Sequence, residues 1–206
     1  MTGLYDIAKT ILKTKTYLEA GLQENLELTE VVYKPTETSE FLAFYFINED
    51  GTKTLSHTEW PKKMKKPINE LNDSEKEIYI SLINRQKKLV HQIVSAILGQ
   101  DISLTGNSFK EFAQNTVKAL EGKFSGKKVR AKVVYDYRGF TSLANNPDFR
   151  FIEPMSVEKS EIQILDTDKL TRTDTRNDRR SQTSATDLGI STDEDPSTNM
   201  DSDNPF

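Results

Sequence analysis

The sequence predicts an α+β, mainly β fold: an OB-like five-stranded barrel with helices inserted between its third and fourth strands, followed by a disordered acidic tail. Three observations predict it. Strand-length segments on either side of the chain's middle are apolar or alternate in character, and turn residues bound them. Between them the apolar period switches to that of amphipathic helices. Past residue 155 the core-forming residues stop, since Ser156 to Pro205 contains no aromatic side chain and is dominated by Ser, Thr, Asp, Asn and Arg.

Each element follows from local pattern. Leu4, Ile7, Ile11 and Leu18 lie at helical spacing and predict a first helix over Leu4–Ala20, with Gly21 as its stop. Leu26 and Leu28 alternate with Glu27 and Thr29 ahead of Val31, Val32 and Tyr33, a strand over Leu26–Tyr33. Phe41–Ile47 is an unbroken apolar run of strand length. Asn48-Glu-Asp-Gly51 turns the chain, and Thr52–Trp60 returns as a third strand. Ser74 and Glu77 have the spacing of a capping box ahead of a helix over Glu75–Leu98, whose apolar stripe is Ile78, Leu82, Leu89, Ile93 and Ile97 and whose stop is Gly99. Asn107 or Ser108 caps a second helix over Ser108–Leu120. From Lys127 to Arg138 one face reads Val129, Ala131, Val133, Tyr135, Tyr137 and the other Lys128, Arg130, Lys132, Val134, Asp136, Arg138, so the strand presents an apolar face and a cationic one. Gly139 turns it into Phe140–Leu143, and Phe149–Glu153 closes the domain after Asn145-Asn-Pro147. A five-stranded barrel with a helix between strands three and four is the OB-fold arrangement, and a half-open α+β sheet is the alternative.

Charge separates two regions of the 206-residue chain. Its formal charge of −4 divides into 22 basic and 20 acidic side chains over residues 1–155 and 6 basic against 12 acidic over 156–206. The last 26 residues hold six acids and no Lys or Arg. A segment of that composition does not bury enough apolar surface to offset the ~1–2 kcal/mol per residue that ordering its backbone costs. Residues 1–155 are therefore read as the folded domain and 156–206 as the tail.

Several chemistries are excluded by what the sequence lacks. Without Cys there are no disulfides, zinc knuckles or thiol nucleophiles, and two His, His57 and His91, do not make a metal site. Both are read as ordinary surface or boundary histidines. No metal or cofactor is expected: Asp166-Thr-Asp168 and Asp193-Glu-Asp195 sit where no scaffold is predicted to hold a cation. Gly-x-Ser-x-Gly, phosphate-loop and His-Glu-x-x-His motifs are missing, so no enzyme is expected. The N-terminus carries no signal-peptide pattern and no apolar run approaches the ~20 residues of a membrane span, which makes a cytoplasmic protein the expectation.

What the domain offers is cations interleaved with rings. Lys127, Lys128, Arg130, Lys132 and Arg138 lie among Tyr135, Tyr137 and Phe140, and a second cluster follows Trp60 with Lys62 and Lys63. Grooves that hold single strands combine Lys and Arg on phosphates with aromatic faces under bases. If Lys128, Arg130 and Lys132 face the strand, Tyr135 and Tyr137 belong to the core, and Phe140 and Trp60 are the better stackers. The chain ends Met200-Asp-Ser-Asp-Asn-Pro-Phe206, acids followed by a Pro and a terminal ring, the composition of a docking plug for an apolar pocket with a basic rim.

This ending resembles the acidic tip of bacterial single-stranded DNA-binding proteins. In that family the barrel coats single-stranded DNA and the tip recruits replication, recombination and repair enzymes, which assigns partner docking to Asp201, Asp203, Pro205 and Phe206. Some phage single-stranded DNA-binding proteins likewise end in an acidic tail with a terminal Phe. Gly126–Met155 is also similar to the C-terminal strands of such proteins in crAss-like tailed phages, which implies a phage origin and the host cytoplasm. The resemblance leaves homo-oligomerisation open. The long helical insertion and the Arg-containing tail depart from the bacterial pattern. The rival expectation is a protein-interaction or virion-assembly module with a flexible tail.

Overall fold

The computed structural model describes residues 16–172. The chain divides into two units, residues 1–173 and 174–206, and the second lies outside the described residues. The first contains a mixed α+β fold: a nearly closed, barrel-like sheet and two α-helices.

The strands are β1 (Thr16–Tyr17), β2 (Gly21–Pro35), β3 (Glu40–Ile47), β4 (Lys53–Glu59), β5 (Lys128–Tyr135), β6 (Thr141–Leu143) and β7 (Ile152–Pro154), and the helices are α1 (Asp73–Leu98) and α2 (Phe109–Leu120). The sheet runs β1-β4-β3-β2-β5-β6, with β7 on β5. Its curvature comes from β2, which pairs with β5 through Gly21–Glu27 and with β3 through Glu27–Pro35. Register shifts at Gln23/Leu26 and Leu28/Glu30 mark bulges, and Asn25 takes φ of 55° at the first of them. Bulges bend a strand and raise its twist, so one 15-residue strand serves two halves of the sheet. The ends approach where the His57 Nδ1 of β4 lies 3.0 Å from the Ser142 Oγ of β6, with no backbone ladder between those strands.

The core fills the inside of this sheet. Leu26, Leu28, Leu42, Phe44, Phe46, Leu55, Val129, Ala131 and Val133 are buried there with Phe151 and Ile152. Leu89, Ile93, Val94 and Ile97 of α1 and Phe112 and Leu120 of α2 join the same cluster. α2 is seated by Gly106: a Cβ at that position would lie 2.4 Å from the Phe112 backbone nitrogen. Gly106→Ala is therefore expected to lower stability by about 1–3 kcal/mol through overpacking, read as a reduced urea midpoint.

Several expectations are corrected. The part of the predicted first helix within the described residues is not helical, because Thr16–Tyr17 pairs parallel with Lys53–Thr54 and Gly21 opens β2 rather than ending a helix. The rest of that helix, Leu4–Lys15, lies outside the described residues. The capping box of α1 is Asn72 and Glu75, not Ser74 and Glu77: the Asn72 side chain accepts from the Glu75 N–H at 2.8 Å, and Glu75 Oε2 accepts from the Asn72 N–H at 2.9 Å. The apolar stripe predicted from Ile78 and Leu82 onward is not buried along its first turns: Ile78 is 54% exposed and burial along α1 starts at Gln86. Residues 156–172 are not all tail, since the Lys169 carbonyl accepts from the Tyr135 N–H at 2.8 Å and Glu153 accepts from the Glu161 N–H at 3.1 Å.

Candidate nucleic-acid interface

The cationic face predicted on the Lys127–Arg138 strand is largely neutralised by the chain itself. Arg130 donates to Glu24 at 2.7 Å and to Glu153 at 2.9 Å. Burial opposes ionisation of Glu153, but hydrogen bonds from Ser160, the Glu161 N–H and Arg130 hold its carboxyl below the ordinary range. Lys132 is 1% exposed. Its ammonium donates to Asp168 at 2.8 Å and to the Gln163 carbonyl at 2.9 Å, which ties residues 163–168 to β5 and removes Lys132 from the surface. Lys128 is exposed but pairs with Glu49 at 2.7 Å, while Lys127 is exposed with no ion pair among the described residues. The partners Glu24, Glu49 and Asp168 are distant in sequence, so alternation along the strand does not reveal them.

The strand also ends earlier than predicted, at Tyr135, because Asp136 builds a tight loop. Asp136 Oδ1 accepts from the Arg138 and Phe140 N–H groups, each at 2.9 Å, and Gly139 takes φ of 78°. Burial opposes ionisation of this carboxyl, but those hydrogen bonds and the Arg138 side chain hold it below its usual value. The loop carries Tyr137, 74% exposed, and Phe140 outward, with the Arg138 guanidinium 5.4 Å and 5.6 Å from their ring centres. Arg138 also pairs with Asp136 at 3.1 Å. Phe140 meets Tyr17 edge-on at 6.3 Å. Tyr135 is half-buried.

A second aromatic group lies on the outer face of β2, β3 and β4. Residues in register share a face. The rows are Lys34 with Phe41, Val32 with Ala43 and Thr58, and Glu30 with Tyr45 and Ser56. Trp60, just beyond β4 and 48% exposed, packs on Phe41 with ring centres 5.1 Å apart. Lys62 follows it, half-exposed and 3.4 Å from Glu59, and Lys63 is exposed with no ion pair among the described residues. Phe41, Tyr45, Lys34 and Tyr17 were missed by sequence reasoning. The outward positions of Phe41–Ile47 alternate with inward Leu42, Phe44 and Phe46, a signal hidden by an apolar run that faces inward and outward alike.

The seam between β4 and β6 is polar. His57, read as a surface or boundary residue, is 4% exposed, and its Nε2 lies 3.1 Å from Glu59 Oε1. Glu59 Oε2 accepts from Gln86 of α1 at 2.6 Å, joining sheet to helix. Burial acts to raise the Glu59 pKa, but hydrogen bonds from His57 and Gln86 and the charge of Lys62 outweigh it and lower the pKa from 4.5 to about 2. A carboxyl depressed on folding stabilises fully above its unfolded pKa and loses that contribution as pH falls toward the folded one. Wild type is thus expected to lose roughly 3 kcal/mol between about pH 5 and pH 2 through this group, and Glu59→Gln to flatten that limb of the urea midpoint against pH. His91 sits at the boundary, 2.7 Å from Asp101.

Among the described residues no group of three or more His, Asp and Glu is arranged to hold a metal ion, and no helix is long and apolar enough to cross a membrane. Asp201, Asp203, Pro205 and Phe206 lie outside the described residues. The fold and this face define a class, a mixed α+β barrel-like domain with exposed rings on its outer sheet surface. No family model and no curated protein matches the chain.

Proposed function

We propose that this domain is an OB-like barrel that binds single-stranded DNA without strong sequence preference, as a non-enzymatic coat during replication, recombination and repair. The observation that carries the reading is the set of outward rings on a barrel-like sheet: Trp60 on Phe41, Tyr45 further along the same face of β3, and Phe140 with Tyr17 and Tyr137 at the Asp136–Phe140 loop. OB barrels bind oligonucleotides on the face of their second and third strands and on the loops joining strands one to two and four to five. Counting the long β2 as strand one, those are β3, β4 and the loop bearing Phe140, with both helices between strands three and four. The sequence ending supports a docking role for Asp201, Asp203, Pro205 and Phe206 toward replication, recombination or repair proteins, in the cytoplasm of a phage-infected host.

Base stacking supplies most of the affinity in this reading, with Lys34, Lys62, Lys63 and Arg138 as the nearby phosphate contacts. Lys132 takes no part. Oligo-dT anisotropy across a salt series tests it: log affinity should fall by ~0.7 per phosphate neutralised, with a shallow overall slope because few cations contribute. Absence of binding at low salt overturns the proposal. The pairing of Lys128, Arg130 and Lys132 with acids favours the rival reading, in which the same aromatic face meets a protein and oligo-dT is not bound.

A further inference from the structure

A second concave surface lies between the helices and shares no aromatic residue with the outer sheet face. Pro61, Tyr79 and Ile83 line it with Phe109 and Phe112, around about 210 Å³ of space. It forms because α1 outruns its own core: the turns before Gln86 carry no fully buried residue, and Tyr79 and Ile83, four apart, lie on one side of the helix. The start of α2, seated by Gly106, supplies the opposite wall.

The rim is cationic. Lys62 and Lys87 line it, and Lys63 and Lys65 follow in the adjoining segment. Lys87, Lys63 and Lys65 have no ion pair among the described residues, whereas Lys62 is shared with Glu59 and Lys66 with Glu75. Such a surface combines an apolar floor of side-chain size with the ammonium of Lys87, unpaired among the described residues, and with those of Lys63 and Lys65 in the adjoining segment. An inserted ring gains the floor, and flanking carboxylates gain the rim. A nucleic-acid backbone would use only the rim, because its phosphates have nothing to gain from Ile83, Phe109 and Phe112.

We infer that the groove between α1 and α2 docks a partner protein through an acidic segment that inserts one aromatic side chain between Tyr79, Ile83 and Phe109, with Lys87 holding a flanking carboxylate. The inference does not depend on strand binding at the sheet face. The measurement is fluorescence anisotropy of the full chain with a short labelled peptide rich in Asp and Glu around a single Phe, in parallel with oligo-dT. Binding should weaken with salt, drop roughly thirtyfold or more when the peptide's Phe is replaced by Ser, and drop about tenfold in Lys87→Glu. Ile83→Ser should also lose the peptide, and the thermal midpoints of both Ile83→Ser and the half-buried Lys87→Glu are recorded to separate docking from folding. Oligo-dT affinity should be unchanged in both variants. No peptide binding at low salt, equal binding of the Phe-less peptide, or equal affinity in wild type and Lys87→Glu overturns the inference. Displacement of the peptide by oligo-dT together with loss of oligo-dT binding in Ile83→Ser assigns the groove to the strand and overturns it as well.

Discussion

Lys132→Met is expected to destabilise the fold by about 3–5 kcal/mol, the loss that follows removal of one partner from a buried ion pair. Met fills the same space along β5, so the loss is electrostatic. Asp168, whose side chain is only 11% exposed, loses the ammonium that faces it, and the Gln163 carbonyl loses its donor. Asp168 Oδ2 also accepts from the Leu165 N–H at 2.7 Å, so residues 163–168 should loosen with it. Combining Lys132→Met with Asp168→Leu should recover only part of the loss: it removes the unpaired charge, as replacement of a buried pair by apolar side chains does, but leaves the Leu165 N–H and the Gln163 carbonyl without these partners. Urea unfolding of the two variants and wild type measures this. A single variant within about 0.5 kcal/mol of wild type would mean that the pair contributes nothing. Oligo-dT affinity of the folded Lys132→Met protein should match wild type, in contrast to the role its place in sequence suggests.

The second large effect concerns the sheet face. Replacing Phe41 and Trp60 together by alanine is expected to reduce oligo-dT affinity by roughly 1–3 kcal/mol per stacked base, tenfold or more, while leaving the salt slope in place. Phe41 is half-buried on the outer side and Trp60 lies past the strand end, so the interior of Phe44 and Phe46 is untouched. Arg138→Ala is the complementary change, lowering the salt slope more than the affinity at high salt. Equal oligo-dT affinity in the Phe41/Trp60 double variant and wild type would remove this face from the proposed function.

Much of the fold was legible because local pattern and tertiary environment agree. β3, β4, α1 and α2 lie close to where turn residues, caps and periodicity place them. The failures have physical causes. β2 begins at Gly21 because bulges allow one strand to serve both halves of the sheet, and no periodicity marks a residue that bends a strand. Ile78 and Leu82 continue the helical stripe of Leu89 and Ile93, yet the core does not extend under them, and a sequence does not state where its core stops.

The candidate interface was legible only as composition. Trp60, Tyr137 and Phe140 are exposed as rings beside cations. The alternation of Lys128, Arg130 and Lys132 correctly gives strand geometry, but it does not reveal that Glu49, Glu24, Glu153 and Asp168 come from elsewhere in the chain to meet them. In sequence Asp168 stands in an acidic stretch of the expected tail, and its partner is an ammonium inside the domain. Likewise His57 appears isolated in sequence, and its partners are Ser142, brought in by β6, and Glu59, which Gln86 of α1 reaches in turn.

Trp60 is the chain's single tryptophan and is about half exposed on the face proposed to hold bases, so its fluorescence reports directly on that face. Titration of the full-length protein with oligo-dT, repeated at increasing salt, should quench Trp60 to saturation with an affinity that weakens as salt rises. A Trp60 signal unchanged by oligo-dT at low salt would contradict stacking on this face.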